Sequence, residues 1–170
     1  MTKKIRSHFL VRIIALVIIA GAVALATYWA FFTPAAQQEA VACPVREIAL
    51  QSPDGSKEVR VVAEMAITPA QMQTGLMNRK SLPAKTGMMF VWDEPRQIYM
   101  WMKNTYIPLD MIFINGQEVV GIINAKNTQD ETPLTVKSPA DKVLEVNYGF
   151  TRAEGISKGW YVTVGPCVTR

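Results

Sequence analysis

A run of twenty residues without a charge, residues 13–32, constrains this chain more than any other feature of its sequence. As an α-helix the run would rise roughly 30 Å, which is the thickness of the hydrocarbon core of a bilayer. Tyr28 and Trp29 lie near its far end, where aromatic rings suit the membrane–water interface. Four basic residues precede the run, whereas the first acid is Glu39. Because basic flanks stay in the cytoplasm, the sequence predicts a single-pass inner-membrane protein with its C-terminal part in the periplasm.

This prediction divides the chain into four parts: a cytoplasmic basic tail (1–12), a transmembrane signal-anchor (13–32), a linker (33–42) and an exported domain (43–170). Small-residue motifs at 24–26 and 40–42 also suit signal cleavage, which would leave a secreted or periplasmic protein. Cys43 directly follows the second motif, so a lipid on its thiol is a further alternative. The length of the run favours the uncleaved anchor, and the inner membrane is then a partner through residues 13–32.

The net charge of +4 comes mostly from the N-terminal tail. From Cys43 onward the chain has 14 basic and 13 acidic residues. Nucleic-acid-binding domains usually carry a basic stripe, and a nearly balanced domain does not favour one. The sequence therefore predicts no nucleic-acid partner.

The domain has two cysteines, Cys43 and Cys167, and no histidine, because the only histidine of the chain is His8. In an oxidising compartment such a cysteine pair favours a disulfide. A thiol metal site is the weaker alternative, since two cysteines without a histidine make a poor zinc site. Without an imidazole, Ser-His-Asp and Cys-His catalysis are excluded from the domain. We expect neither a metal nor a cofactor.

Short alternating segments bounded by turn residues predict a β-rich domain. The Asn115-Gly116 pair is a strong hairpin signal, and Thr68-Pro69 predicts the start of one clear helix that runs to about Asn78. A turn is predicted at 93–95, a long loop within 124–141 and a single helical turn at 151–156. Strands are predicted at 47–50, 58–66, 88–92, 97–102, 110–114, 118–123, 143–147 and 161–164. The predicted fold class is mainly β (β-rich α+β), a small antiparallel barrel-like or sandwich domain.

Several motifs in this domain occur together, in order and at a regular spacing. They are Gly75-Leu76-Met77 with Arg79, Gly87-Met88-Met89-Phe90, Trp101-Met102-Lys103-Asn104-Thr105, Ile107-Pro108-Leu109-Asp110 with Phe113, Leu144-Glu145 with Asn147 and Gly149, and Gly155-Ile156 with Gly159. The set closely resembles the uncharacterised family known as domain of unknown function 192, over residues 47–165. The resemblance implies a compact barrel-like fold behind a signal or anchor segment, and it implies no activity. The chain departs from the family pattern at Trp160, where an aspartate is usual.

The densest polar group in an apolar setting lies within these motifs, and we interpret it as a candidate binding site. Alternation places Tyr99, Trp101 and Lys103 on one face, and two aromatic rings beside a cation suit a sugar ring or an anion. A buried Asp110 would need a partner, for which Lys103 and Arg79 are the nearest candidates. The sequence thus predicts a binding module for a small polar, anionic or sugar-like ligand or for an envelope partner. Its predicted site residues are Arg79, Tyr99, Trp101, Lys103, Asn104 and Asp110.

Three alternatives stay open from the sequence, and so does the question of whether the protein is an enzyme. The same polar residues would also serve as an internal salt-bridge and capping network. Asp110 and Glu145 are candidates for a carboxylate-dependent hydrolase, provided that their carboxyl groups lie about 5 to 10 Å apart. Eight of the nine methionines lie between Met65 and Met111, and thioethers bind Cu(I), although methionine is also a common core residue.

Overall fold

A computed structural model describes residues 43–168 of the chain. The predicted basic tail, anchor and linker, residues 1–42, lie outside the described residues, as do the two possible cleavage motifs. Between residues 43 and 168, no helix is long and apolar enough to cross a membrane.

The described residues form seven strands and two short helices. In chain order they are β1 (Val45–Gln51), β2 (Glu58–Ala66), α1 (Pro69–Thr74), β3 (Thr86–Arg96), β4 (Leu109–Asn115), β5 (Glu118–Ala125), β6 (Ala140–Asn147), α2 (Phe150–Glu154) and β7 (Tyr161–Cys167). The prediction of a mainly β domain is confirmed, and the short helix α2 lies where the sequence predicts a single helical turn, at 151–156.

The strands close into a barrel in the order β1-β2-β3-β6-β4-β5-β7. The predicted barrel-like alternative is therefore confirmed over the sandwich. The prediction of a purely antiparallel sheet is wrong at one pair, because β2 and β3 run parallel. A parallel pair needs a long crossover, and the segment between these strands, which contains α1, supplies it.

Helix α1 begins where the sequence predicts and ends earlier. The side chain of Thr68 accepts a hydrogen bond from the backbone N–H of Gln71, whose own side chain caps the Thr68 backbone in return. This capping box and the proline at the first helical position define the start. The helix ends at Thr74 because Gly75 takes a positive φ of 47°. Residues 75–78 therefore form a turn instead of the predicted last helical turn.

The predicted strand at 97–102 is wrong. This segment makes only one β-bridge, between Met100 and Leu134, and the predicted turn at 93–95 is instead part of β3. The alternation that suggested a strand is present as burial, since Ile98, Met100 and Met102 are buried while Tyr99 and Trp101 are exposed. A segment that packs one face against the barrel shows the alternating burial of a strand, although it does not pair with a neighbouring strand along its length.

The barrel wall separates two apolar cores. The inner core fills the barrel with side chains from all seven strands, among them Ile48, Val61, Ile112, Leu144 and Val162. The outer core covers the other face of β3, β6, β4 and β5 with α1 and the loops that follow α1 and β3. Because successive strand residues point to opposite faces, each polar side chain on these strands belongs to one core or the other.

A disulfide joins Cys43 to Cys167 across 124 residues, with the two Cα atoms 5.6 Å apart. The predicted disulfide is therefore confirmed. Both thiols are used in this bond, which leaves no free cysteine among residues 43–168.

Candidate functional site

Asp110 lies on the inner face of the barrel wall, near helix α2. Its side chain points to the same face of β4 as the side chains of Ile112 and Ile114, and Asp110 is fully buried. Its Oδ1 accepts a hydrogen bond from Asn124 Nδ2 at 2.7 Å. Its Oδ2 accepts two more, from the Thr151 backbone N at 2.9 Å and from Thr151 Oγ1 at 2.7 Å.

These bonds explain why a carboxylate is buried at this position. The residue before α2 is Gly149, which has no side chain to cap the helix. Asp110 supplies the missing acceptor from β4, and an acceptor at a helix N-terminus satisfies an otherwise unpaired N–H. The predicted pairing of Asp110 with Lys103 or Arg79 is wrong, because neutral donors from β5 and α2 reach it instead.

Glu145 lies on the outer face of the same wall. It shares its side of β6 with Val143, and its backbone pairs with Met111 of β4, both in the outer core. Glu145 is 4% exposed, and among residues 43–168 its carboxyl group has no hydrogen-bond or ion-pair partner. Burial raises the pKa of Glu145 from 4.5 to about 8, since a charged carboxylate loses its hydration there.

Asp110 and Glu145 therefore point to opposite faces of one sheet. Retaining and inverting glycosidases both need two carboxyl groups that flank a single bond in one cleft. The barrel wall stands between these two groups, so the hydrolase considered from the sequence lacks this geometry.

Glu145 lines a crevice between the barrel wall and the segments that cover this wall. The crevice has a volume of about 20 Å³, which is room for about one water molecule. Its lining side chains come from α1 and the turn after it, from β3, from the loop before β4 and from β6; they include Met72, Leu76, Met77, Phe90, Met100, Trp101, Thr105 and Glu145. Most of these residues belong to the motifs that carry the family resemblance.

The loop after β3 brings together three of the predicted site residues. The ammonium of Lys103 lies 5.6 Å from the centroid of the half-exposed Trp101 ring. Lys103 also pairs with Glu131, at an Nζ–Oε2 distance of 3.4 Å. Asn104 has a positive φ of 52°, and its carbonyl accepts a hydrogen bond of 2.9 Å from the Asn78 backbone N. This bond ties the loop to the turn after α1.

Arg79 lies beside this loop and faces a larger, open groove. Its two Nη atoms bond to the two carboxylate oxygens of Glu64 at 2.5 and 2.7 Å, a bidentate arrangement that raises the pKa of the guanidinium. The groove has a volume of about 750 Å³, with Met65, Ala66 and Met88 on its apolar side. Thr74 and Gly75 line both groove and crevice, so the two adjoin.

The structure thus separates the predicted site into two places and leaves two residues, Tyr99 and Asp110, apart from both. Arg79 lies in the groove, and Trp101, Lys103 and Asn104 lie on the loop above the crevice. Tyr99 is 65% exposed and makes no hydrogen bond among the described residues. Asp110 belongs to the inner core. Among the described residues, no group of three His, Cys, Asp or Glu side chains is arranged to hold a metal ion.

Sequence reasoning missed the crevice and the partners of Asp110. The motif blocks around Gly75, Phe90, Trp101 and Glu145 were a usable signal, since they come from four separate segments and meet at one place. Trp160, where the resemblance implies an aspartate, is 5% exposed and belongs to the inner core. At this position the chain therefore has a packing residue.

Two solved structures are similar to this fold. One, from Sinorhizobium meliloti 1021, is described as a "putative transcription regulator"; it is 32% identical and has a TM-score of 0.69, over 72% of this chain and 95% of that one. The other, a protein of unknown function from Novosphingobium aromaticivorans DSM 12444, is 35% identical and has a TM-score of 0.64, over 70% and 84%. No curated protein matches. The family model DUF192, described as "Uncharacterized ACR, COG1430", matches residues 50–164, so the chain belongs to the DUF192 family.

Proposed function

We propose that this protein is a membrane-tethered binding module for a small ligand that is anionic or sugar-like. The observation that carries the proposal is the Arg79 guanidinium, which is fixed in the wall of a groove of about 750 Å³. Ligand pockets commonly have volumes of this order and combine an apolar side with a few fixed polar groups.

Arg79 suits this role because its orientation is already set. Glu64 takes one N–H from each Nη atom, and a guanidinium has five N–H donors. Among the described residues, the remaining three N–H groups of Arg79 make no other hydrogen bond. Gln71 and Thr74 add polar side chains to the same groove. A ligand carboxylate or hydroxyl is the chemistry that these donors would recognise.

The loop above the crevice extends this surface. Trp101 presents a half-exposed ring, and the faces of sugar rings stack on such aromatic rings. The Lys103 ammonium near the ring adds positive charge, and its pair with Glu131 is long and exposed enough to be exchanged for a ligand.

Three monosaccharides that differ in one group test this proposal: glucose, glucuronate and glucosamine. Calorimetric titration of the metal-free full chain should show binding of glucuronate ahead of glucose, with glucosamine weakest, because Arg79 and Lys103 are cations. Arg79→Gln should weaken glucuronate by about tenfold, the effect of losing one charge-assisted hydrogen bond. Equal binding of the three sugars, or no binding of any, would contradict the proposal.

Arg60→Gln is the matched control. Arg60 is also paired with carboxylates, those of Glu47 and Glu58, but it does not line the groove. We expect Arg60→Gln to leave the affinity for glucuronate unchanged. A loss as large as that of Arg79→Gln would mean that general surface charge, not the groove, attracts the sugar.

The tether and the location are part of the same proposal. Residues 13–32 would hold the protein in the inner membrane, with the domain in the periplasm, and the disulfide supports this, since such bonds persist in oxidising compartments. Protease added from the periplasmic side of cells with an intact inner membrane should remove the domain from the membrane fraction. A domain that stays protected from the protease would refute the periplasmic location. A domain that is recovered without the membrane would refute the tether.

We do not extend the proposal to nucleic acid. One similar structure is described as a "putative transcription regulator", and that description concerns the relative. The present domain has nearly equal numbers of basic and acidic residues from Cys43 onward. A gel-shift assay with random-sequence duplex DNA should show no binding at physiological salt.

A further inference from the structure

We propose that the crevice beneath Trp101 is a binding site for Cu(I), held by methionine thioethers and the carboxylate of Glu145. Three of the residues that line the crevice are methionines: Met72 from α1, Met77 from the turn after it and Met100 from the loop after β3. This site is separate from the sugar groove, and the proposal does not rest on the function of that groove.

The volume of the crevice suits a single ion. At about 20 Å³ it accepts one water-sized body and excludes a sugar or an amino acid. The groove next to it is many times larger, so the two spaces select for different occupants.

Glu145 is the second, independent sign of a ligand. Glu145 is 4% exposed and lines the crevice, where its carboxyl oxygens stay accessible, and among residues 43–168 no donor or cation contacts them. Buried carboxyl groups are nearly always hydrogen-bonded or paired with a cation. Packing alone would place an apolar residue here, whereas a cation that enters the crevice would displace the proton of Glu145 to solvent and become the partner of the carboxylate.

The donor set favours a soft monovalent ion. Thioethers are soft ligands that select Cu(I), whereas Zn²⁺, Cu(II) and Mg²⁺ prefer imidazole, thiolate or several oxygen ligands. The part of the chain that the structure describes contains no histidine, and both of its cysteines are in the disulfide. One carboxylate neutralises one Cu(I), while a divalent ion would keep an unbalanced charge in an apolar setting.

Trp101 lies at the rim of the crevice, where an indole ring can contact a bound cation. The aromatic ring and the methionines come from segments up to 29 residues apart, and Glu145 comes from β6, the neighbour of β3 in the sheet. Core methionines fill gaps in many proteins. That ordinary role accounts for the thioethers, and for the acid the partner other than Cu(I) is one water in the crevice, which the titration below distinguishes.

The test is a competition titration of Cu(I) against bathocuproine disulfonate, without oxygen and without thiol reductant, so that the disulfide stays intact. The full chain should take up one Cu(I) at this site. Met72→Leu, Met100→Leu and Glu145→Gln should each weaken binding by about tenfold or more. Zn²⁺ should not compete for this site.

Met111→Leu is the control, because Met111 lies in the same outer core but does not line the crevice. It should bind Cu(I) like the unmodified protein. If Met100→Leu fails to fold, Met72→Leu still tests the proposal, since Met72 is only partly buried.

X-ray absorption of the Cu(I) form should show sulfur neighbours. Oxygen and nitrogen neighbours alone, no uptake, or equal affinity of all four variants would overturn the proposal.

Discussion

Exchange of Glu145 for glutamine should remove most of the pH dependence of stability between pH 4.5 and 8. Glutamine has the same shape and stays neutral, so the change isolates the cost of ionising a buried carboxyl group. The folded pKa of about 8 lies well above the ordinary 4.5, because burial disfavours the charged form. At about 1.4 kcal/mol per pH unit, this difference corresponds to about 5 kcal/mol of unfolding free energy.

The sign of the effect follows from proton counts. Below pH 4.5 the carboxyl group is protonated in both the folded and the unfolded chain, and stability is independent of its titration. Between pH 4.5 and 8 the folded chain keeps a proton that the unfolded chain has lost, so unfolding becomes easier as the pH rises. Above pH 8 both states are ionised and the loss is complete.

Denaturant unfolding of the metal-free protein at several pH values measures this effect. The free energy of unfolding should fall steeply from pH 5 to pH 8 in the unmodified protein and much less in Glu145→Gln. The only histidine of the chain, His8, lies outside the domain, so histidine titration does not obscure this range. The exposed Glu118 supplies the control, because Glu118→Gln makes the same chemical change at the surface. Parallel curves for the unmodified protein and Glu145→Gln would refute the reasoning.

Three further changes test the fold. Asp110→Asn should lower the unfolding free energy by about 2 to 3 kcal/mol, since the amide N–H₂ of asparagine replaces one of the two oxygens that accept hydrogen bonds from Asn124 and Thr151; calorimetry that finds no change would contradict the capping role. Loss of the disulfide through Cys43→Ser and Cys167→Ser should cost about 5 kcal/mol in the chain-entropy model for a 124-residue loop, measured by denaturant unfolding; a cost near zero would count against that model here. Gly87→Ala should destabilise by several kcal/mol, because the added Cβ would lie 2.4 Å from the Glu145 carbonyl oxygen, and a thermal midpoint equal to that of the unmodified protein would disprove this clash.

Local sequence signals predicted most of the secondary structure. The alternation from Glu58 to Ala66 and the Asn115-Gly116 turn coincide with β2 and with the β4–β5 hairpin. These signals depend on neighbours in the chain, so one sequence suffices to find them. The strand order and the parallel β2–β3 pair depend on which distant segments meet, and no local pattern encodes that.

The candidate site was predicted less well, for a related reason. A search for opposite charges led to Lys103 and Arg79 as partners of Asp110, whereas barrel closure brings the neutral donors Asn124 and Thr151 to it. The face of Glu145 could be deduced only after β6 was aligned with β4. Residues that lie far apart in sequence acquire their roles from the register of the sheet.

The disulfide has a consequence for how this domain can be rebuilt. Its two cysteines bring the first and last strands together, with Cα atoms 5.6 Å apart. A short peptide linker could replace the sulfur bridge and join those ends, and the chain could then be opened elsewhere, for instance in the exposed loop at 126–133. A circularly permuted domain of this kind would begin with β6 and end with β5, yet it would contain the same barrel, crevice and groove.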